Sequence, residues 1–436
     1  MVLSRLGIMT MGLTDTIVVG RYSSVQLGYH ALGWAPTAVV VTVALGLLTG
    51  VQVMTARMIG EGRRALAGAV LRRGVTYGLW IGAGSSVLLA AGGPPFLSAV
   101  GLSPGLASGA TPVLLVFSLS LIPFALSTVG TLWLEALSKP QVPMAMMWLA
   151  NAVNLAADLV LVPGRLGSPA LGAMGGACAT LVSRSALTIA LFAYIGLMGE
   201  ARELGVFTRP ARDRAASQEQ RHVGYGAGAS NFFEIAAFAG MNLVAGWVSV
   251  RSLAGYTVVI NIAALVFMVP LGLSTATAVL VGTAYGARRP REIIRAAMVG
   301  GVTTALLALA AAVAIWLSSR QVAEVWTKDP QVIGMAGEAL VLACFFLVPD
   351  ALQVVMASAL RARADVVAPS VAHFVSYVAV MSPLAWWLAL PRGMGLDGII
   401  CAIIVASYVS ATLLIGRFWF VSRTDARSTM RSDGTV

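Results

Sequence analysis

The sequence predicts an all-α polytopic membrane protein: twelve transmembrane helices in two six-helix lobes, related by a parallel pseudo-twofold repeat. Three observations predict it. The 436 residues are 58% hydrophobic and only 11% charged, with a mean hydropathy of +0.85, whereas a soluble domain carries about 25% charged residues. Apolar stretches long enough to cross a hydrocarbon core, about 20 residues each, recur from one end of the chain to the other. Finally, the chain repeats itself. Gly46 to Gly60 in GLLTGVQVMTARMIGEG returns as Gly272 to Gly286 in GLSTATAVLVGTAYGAR, 226 positions later. At that offset Gly20 falls on Gly246, Leu27 on Leu253, Leu134 on Leu360 and Pro143 on Pro369. Gly172, Gly175 and Cys178 fall on Gly395, Gly398 and Cys401 at an offset of 223.

In order, the first lobe's spans are expected near 2–21, 29–57, 75–97, 108–133, 143–163 and 171–198. The second lobe's follow near 227–249, 253–285, 294–318, 331–358, 366–390 and 395–420. The domain organisation is therefore an amino-terminal lobe over 1–198, a polar linker over 199–226, a carboxyl-terminal lobe over 227–420 and a cytoplasmic tail over 421–436 whose composition is that of disorder. The first span looks clipped beside its counterpart at 227–249, because Arg5 interrupts its apolar run. Either the start lies downstream of the true one, or the helix is a short one. Prolines inside spans, among them Pro112, Pro123, Pro270, Pro349 and Pro383, each remove a helix hydrogen bond and invite a kink. Pro349 stands out because it adjoins an acid.

The net charge of +11 follows from topology and is no nucleic-acid footprint. Lysine and arginine cluster in alternate loops, 21 on one side against six on the other. The positive-inside rule makes the rich side cytoplasmic, so both termini and the linker face the cytoplasm. An even number of spans per half inserts both halves in the same orientation, which makes the repeat parallel. Cys178, Cys344 and Cys401 lack metal-ligand spacing and read as inert packing residues.

An acid in the bilayer interior costs about 2.5–3.5 kcal/mol even on the lenient insertion scale, so each one needs a reason. Asp15, Asp158, Glu234 and Asp350 lie well inside spans one, five, seven and ten; Glu338 lies nearer a span end. Asn154 and Asp158 are four apart and share a helix face. With Asp15, and Thr180 in span six, they offer an acid pair plus neutral oxygen donors, which suits a proton or a hard cation such as sodium. Packing glue between helices is the plain alternative. Glu234 and Asp350 stand in apolar surroundings that suit proton exchange. The acids are not repeated: 226 positions from Asp15 stands Met241, and from Glu234, Ile8. Arg184 is the deeply embedded cation, expected to pair with an acid or face a wet cavity. His30 and His373 read as packed or interfacial, and the methionines Met144, Met146, Met147, Met241 and Met268 as core, with a pliant cavity wall as the alternative.

The segments MGLTDTIVVG, GVQVMTARMIGEGRR, NFFEIAAFAGMNLVAG and VPDALQVVMASALRARAD, in that order along the whole chain, resemble the multidrug and toxic compound extrusion (MATE) transporters, in particular their NorM-like branch. The resemblance implies a V-shaped pair of lobes around a central cavity, exporting organic, often cationic drugs in exchange for protons or sodium. It also implies that Asp15, Asn154, Asp158 and Thr180 form an amino-lobe coupling cluster, and Glu234 and Asp350 a carboxyl-lobe one. Phe346 stands where NorM-like proteins can carry a tyrosine associated with the cation site, a departure that counts against sodium and for protons in that lobe.

The expected protein is thus a monomeric carrier in the cell inner membrane, with small organic cations and the bilayer as partners, no nucleic acid, no cofactor and no structural metal. A flippase for a lipid-linked or polysaccharide substrate is the nearest rival, but the embedded charges are mostly acidic, which favours cationic cargo. An enzyme would need a nucleophile and base or a metal motif, and no HExxH or comparable pairing of histidine and acid occurs among the three histidines. Nothing resembles the selectivity filter of a channel.

Overall fold

The computed structural model describes residues 1–99, 104–208 and 213–433, with side chains up to residue 423. Twelve helical spans among them are long and apolar enough to cross a membrane. They are α1 (Val2–Tyr22), α2 (Ser24–Gly60), α3 (Arg64–Ala99), α4 (Gly105–Ala136), α5 (Gln141–Leu161), α6 (Ala173–Leu197), α7 (Arg214–Val248), α8 (Val250–Gly286), α9 (Pro290–Trp326), α10 (Pro330–Ala362), α11 (Val367–Ala389) and α12 (Gly395–Arg423). Several run beyond the apolar stretches that announce them, because a helix continues into water wherever its polar ends are capped or docked. The described chain forms two compact units, one built on Leu3–Gly228 and the other beginning at Ala229.

Local chemistry sets the helix ends. Ser23 caps α2 through Gln26 N (3.5 Å), and its repeat counterpart Ser249 caps α8 through Ser252 N (3.0 Å). Asp329 caps α10 through Gln331 N at 3.0 Å, with Pro330 at the first helical position. Breaks inside spans have equally local causes. In α9 the backbone leaves helical geometry at Ser318. In α11 the residues Phe374–Met381 form a π-helix just before Pro383, and Ser382 Oγ donates to the Tyr377 carbonyl at 3.0 Å. Pro383 thus follows a π-helical break, whereas α10 runs as one helix through Pro349.

Two polar segments carry helix beyond the apolar spans. The linker over 199–226 is structured through most of its described length: α7 begins at Arg214, with Asp213 Oδ1 accepting from Ala216 N at 2.9 Å. Its polar side chains dock on the amino lobe. Glu219 meets Arg57 at 2.7 Å, and Gln220 accepts from Arg73 Nε at 3.2 Å and donates to the Val70 carbonyl at 3.3 Å. Composition alone reads such residues as solvated, since nothing local marks their partners. At the other end the backbone helix of α12 continues to Asp433 across the segment read as a disordered tail. Of the basic residues used for topology, Arg209 and Arg212 lie outside the described residues.

Each unit has its own core. Leu48, Val51, Val70, Leu132, Trp133 and Leu191 pack in the first, where the Trp133 indole N–H finds the Ala67 carbonyl at 2.9 Å. Met147 belongs to that core, and Met241 to the second, as plain packing residues. Repeated glycines let backbones touch. A Cβ on Gly175 would sit 2.8 Å from the Leu161 carbonyl, and one on Gly398 would sit 2.8 Å from the Leu388 carbonyl carbon. Gly50 lies against the Gln220 carbonyl, which is what admits the first turns of α7. Outward faces are apolar, as at Trp80, Leu88 and Ile189, where lipid is the solvent.

Candidate functional site

In the amino lobe, α1, α5 and α6 bring the four expected residues together. Asp15, Asn154, Asp158 and Thr180 are all buried. Asn154 Nδ2 donates to Asp15 Oδ1 at 3.0 Å, and Thr180 Oγ1 donates to Asp15 Oδ2 at 2.6 Å. Asp158, one turn from Asn154, lies carboxyl to carboxyl with Asp15, and neither of its oxygens accepts a hydrogen bond from another donor among the described residues. A fifth member comes from α2: His30 is buried with Nε2 3.9 Å from Asp15 Oδ2 and its ring edge-on to Phe117. The sequence read it as packed or interfacial, and only the fold places it at an acid.

Arg184 enters the same lobe one turn after Thr180. Its guanidinium lies 5.1 Å from the Phe124 ring centre and 5.6 Å from that of Trp34, and Nη1 donates to Ser120 Oγ at 2.8 Å. Asp15 is within electrostatic reach. The expected acid partner thus acts at a distance, while aromatic faces and a hydroxyl provide the contacts.

The carboxyl lobe gathers a second set. Asp350 is buried and Glu234 half-buried, and the two are electrostatic neighbours. Asp350 Oδ1 accepts from Gln353 Nε2 at 3.4 Å and from the Tyr377 hydroxyl at 3.3 Å. The buried Arg361, at the end of α10, is the counter-charge of Glu234. Phe346 packs in the same core cluster as Tyr377, so Asp350 does receive a phenolic hydroxyl, but from α11. Tyr377, Gln353 and Arg361 were not legible as site residues. Gln353 alone left a signal, at helical spacing from Asp350. Glu338 is exposed, in keeping with its position near a span end.

A further charge pair ties α1 to the end of α4: Arg5 Nη2 lies 3.3 Å from Glu135 Oε2, with both side chains buried. Glu135 and Arg361 are 226 positions apart, so the repeat carries opposite charges at one place.

Twelve apolar spans with carboxyl clusters buried among them define a polytopic membrane transporter. The MatE family model matches residues 1–160 and 227–387, most of both lobes, and the chain belongs to that family. It is 56% identical to the "Probable multidrug resistance protein NorM" of Caulobacter vibrioides, over 98% of this chain and 91% of the relative. A protein of the same name from Mesorhizobium japonicum is 32% identical over 96% and 91%. Among solved structures, an outward-facing multidrug resistance MATE family transporter of the MOP superfamily superposes with a TM-score of 0.90 at 20% identity, covering 98% of this chain and 94% of that one. A MOP superfamily transporter from Pyrococcus furiosus, described as having a binding pocket of reverse polarity, gives 0.89 at 20% identity, over 97% and 94%. At that identity the likeness concerns the fold.

Proposed function

We propose that this transporter is an antiporter that exports organic, mainly cationic compounds in exchange for protons or sodium ions. The observation that carries the reading is the placing of two separate carboxyl clusters inside the spans: Asp15 with Asp158, held by Asn154 and Thr180, and Glu234 with Asp350. Carboxyls in contact repel one another when both are charged, so a proton or a cation bound between them relieves a large local penalty. That differential affinity is what an ion needs in order to shift a carrier between states. The names of the NorM relatives support drug cargo. The excess of basic residues on one side, 21 against six, supports insertion in the inner membrane with both termini cytoplasmic. The protein works as a monomer, since each unit holds its own cluster.

The test is ethidium efflux from reconstituted vesicles under an imposed sodium gradient and, separately, a pH gradient. Asp15→Asn and Glu234→Gln should each abolish ion-driven efflux while the protein still inserts. Normal extrusion by both variants sinks the proposal.

A further inference from the structure

Two tyrosines are fully buried in the carboxyl-lobe core, and they use their hydroxyls differently. A buried phenol needs a partner, because an unbonded hydroxyl in an apolar core costs free energy. Tyr256 finds a backbone carbonyl, that of Phe238, at 3.2 Å, as a structural tyrosine does. Tyr377 reaches Asp350 at 3.3 Å. Phenylalanine would fill the same space among Phe346, Leu347 and Met381, so packing does not explain that hydroxyl. It stands on the one π-helical segment among the described residues, Phe374–Met381, where the Ser382 hydroxyl holds the Tyr377 carbonyl five residues back at 3.0 Å. A π-turn is poorer in hydrogen-bond geometry than an α-turn and is found at functional sites.

We propose that Tyr377 is a positioning residue for ion coupling: its phenol orients the Asp350 carboxylate and ties that acid to the π-helical turn of α11. The inference rests on the reading of Asp350 as an ion-coupling acid. When Asp350 takes up a proton or a cation, its oxygen stops being a full-charge acceptor and the phenol bond weakens. The turn that carries Tyr377 is then released, so the loading of α10 is felt in α11. The other charged or titratable groups facing this pair are Glu234 on α7, Arg361 on α10 and His373 on α11, whose ring centre is 5.6 Å from that of Tyr377.

The experiment is vesicle efflux measured against the concentration of the driving cation in the wild type, Tyr377→Phe, Ser382→Ala and the control Tyr256→Phe. Tyr377→Phe should lower the half-saturating cation concentration by about tenfold, because the lost hydrogen bond favours the unloaded carboxylate, while keeping the maximal rate. Ser382→Ala, which loosens the turn but keeps the phenol, should shift it the same way by less. Tyr256→Phe should leave it unchanged. An unshifted half-saturation in Tyr377→Phe, or equal shifts in Tyr377→Phe and Tyr256→Phe, overturns the proposal. Should Tyr377→Phe insert poorly, an unshifted Ser382→Ala overturns it instead. Asp350→Asn separates the two readings: if that variant couples normally, the antiport assignment of this acid fails, whereas a dead Asp350→Asn beside an unchanged Tyr377→Phe removes only the role of the phenol.

Discussion

Thr180 Oγ1 donates to Asp15 Oδ2 across 2.6 Å, joining α6 to α1 inside the amino lobe. The same oxygen lies 3.9 Å from His30 Nε2, while Asn154 holds Oδ1, so the carboxylate is fixed at both of its oxygens. Replacing Thr180 by the near-isosteric valine removes the donor and keeps the shape. Thr180→Val should insert normally and lose about 1.5–3 kcal/mol of carboxylate stabilisation. Because the lost bond favours the unloaded carboxylate, tighter apparent affinity for the driving ion at unchanged expression is the expected readout, and an unaltered ion dependence would count against the cluster.

Among the described residues Asp158 has no donor beyond the Asp15 carboxyl. An amide in its place can donate to Asp15 without bringing a second charge. Asp158→Asn should therefore raise the thermal midpoint in detergent by a few degrees while eliminating ion-driven efflux, the trade of stability for function expected at a strained site. A lowered midpoint contradicts this account.

Arg5 and Glu135 form a buried pair, and removing one member takes from the other its buried counter-charge. Either Arg5→Gln or Glu135→Gln should cost about 3–5 kcal/mol. The double change to methionine, apolar and similar in volume, should recover most of it. Thermal unfolding of the singles and the double in one detergent decides the matter.

Gly50 abuts the Gln220 carbonyl, whereas a Cβ on Gly12 would meet nothing within 4 Å. Gly50→Ala should push the first turns of α7 off the amino lobe and open the chain near Arg221 to trypsin. Gly12→Ala should stabilise slightly, by about 0.5–1 kcal/mol, through helix propensity. Equal protease sensitivity of the two variants refutes the docking argument.

On the surface, Glu200 takes a hydrogen bond from Lys139 Nζ at 2.9 Å with Arg64 at 3.6 Å. That bond, and then the two charges, hold its carboxyl below the ordinary value of 4.5. A group whose value is depressed by folding stabilises the fold above its unfolded value, and the gain disappears as pH falls through the folded one. Glu200→Gln should thus lower the melting temperature slightly at neutral pH, and the gap should close below about pH 4 and shrink with added salt.

Span count, repeat and lobe order were legible because they rest on periodic and compositional signals many residues long. The amino-lobe cluster was legible too: an acid in a span is conspicuous, and the four-residue spacing of Asn154 and Asp158 needs only helical geometry. What escaped was whatever depends on which helices meet. His30 is one more histidine until α2 lies against α1, and Tyr377 is one more aromatic until the π-turn aims it at Asp350. The docking of Arg214–Tyr225 was hidden for the same reason, since its polar residues look the same in sequence whether their partners are water or Arg57.

The opposite charges at Glu135 and Arg361 have a historical consequence. A duplicated gene begins with interchangeable halves, and here each half has since wired its residue to a different local counterpart, Arg5 in one and Glu234 in the other. Reverting either position alone would bring like charges together, so no single substitution leads back. The two halves have become entrenched, and a carboxyl half given the amino half's glutamate in place of Arg361 would lack the counter-charge that Glu234 requires.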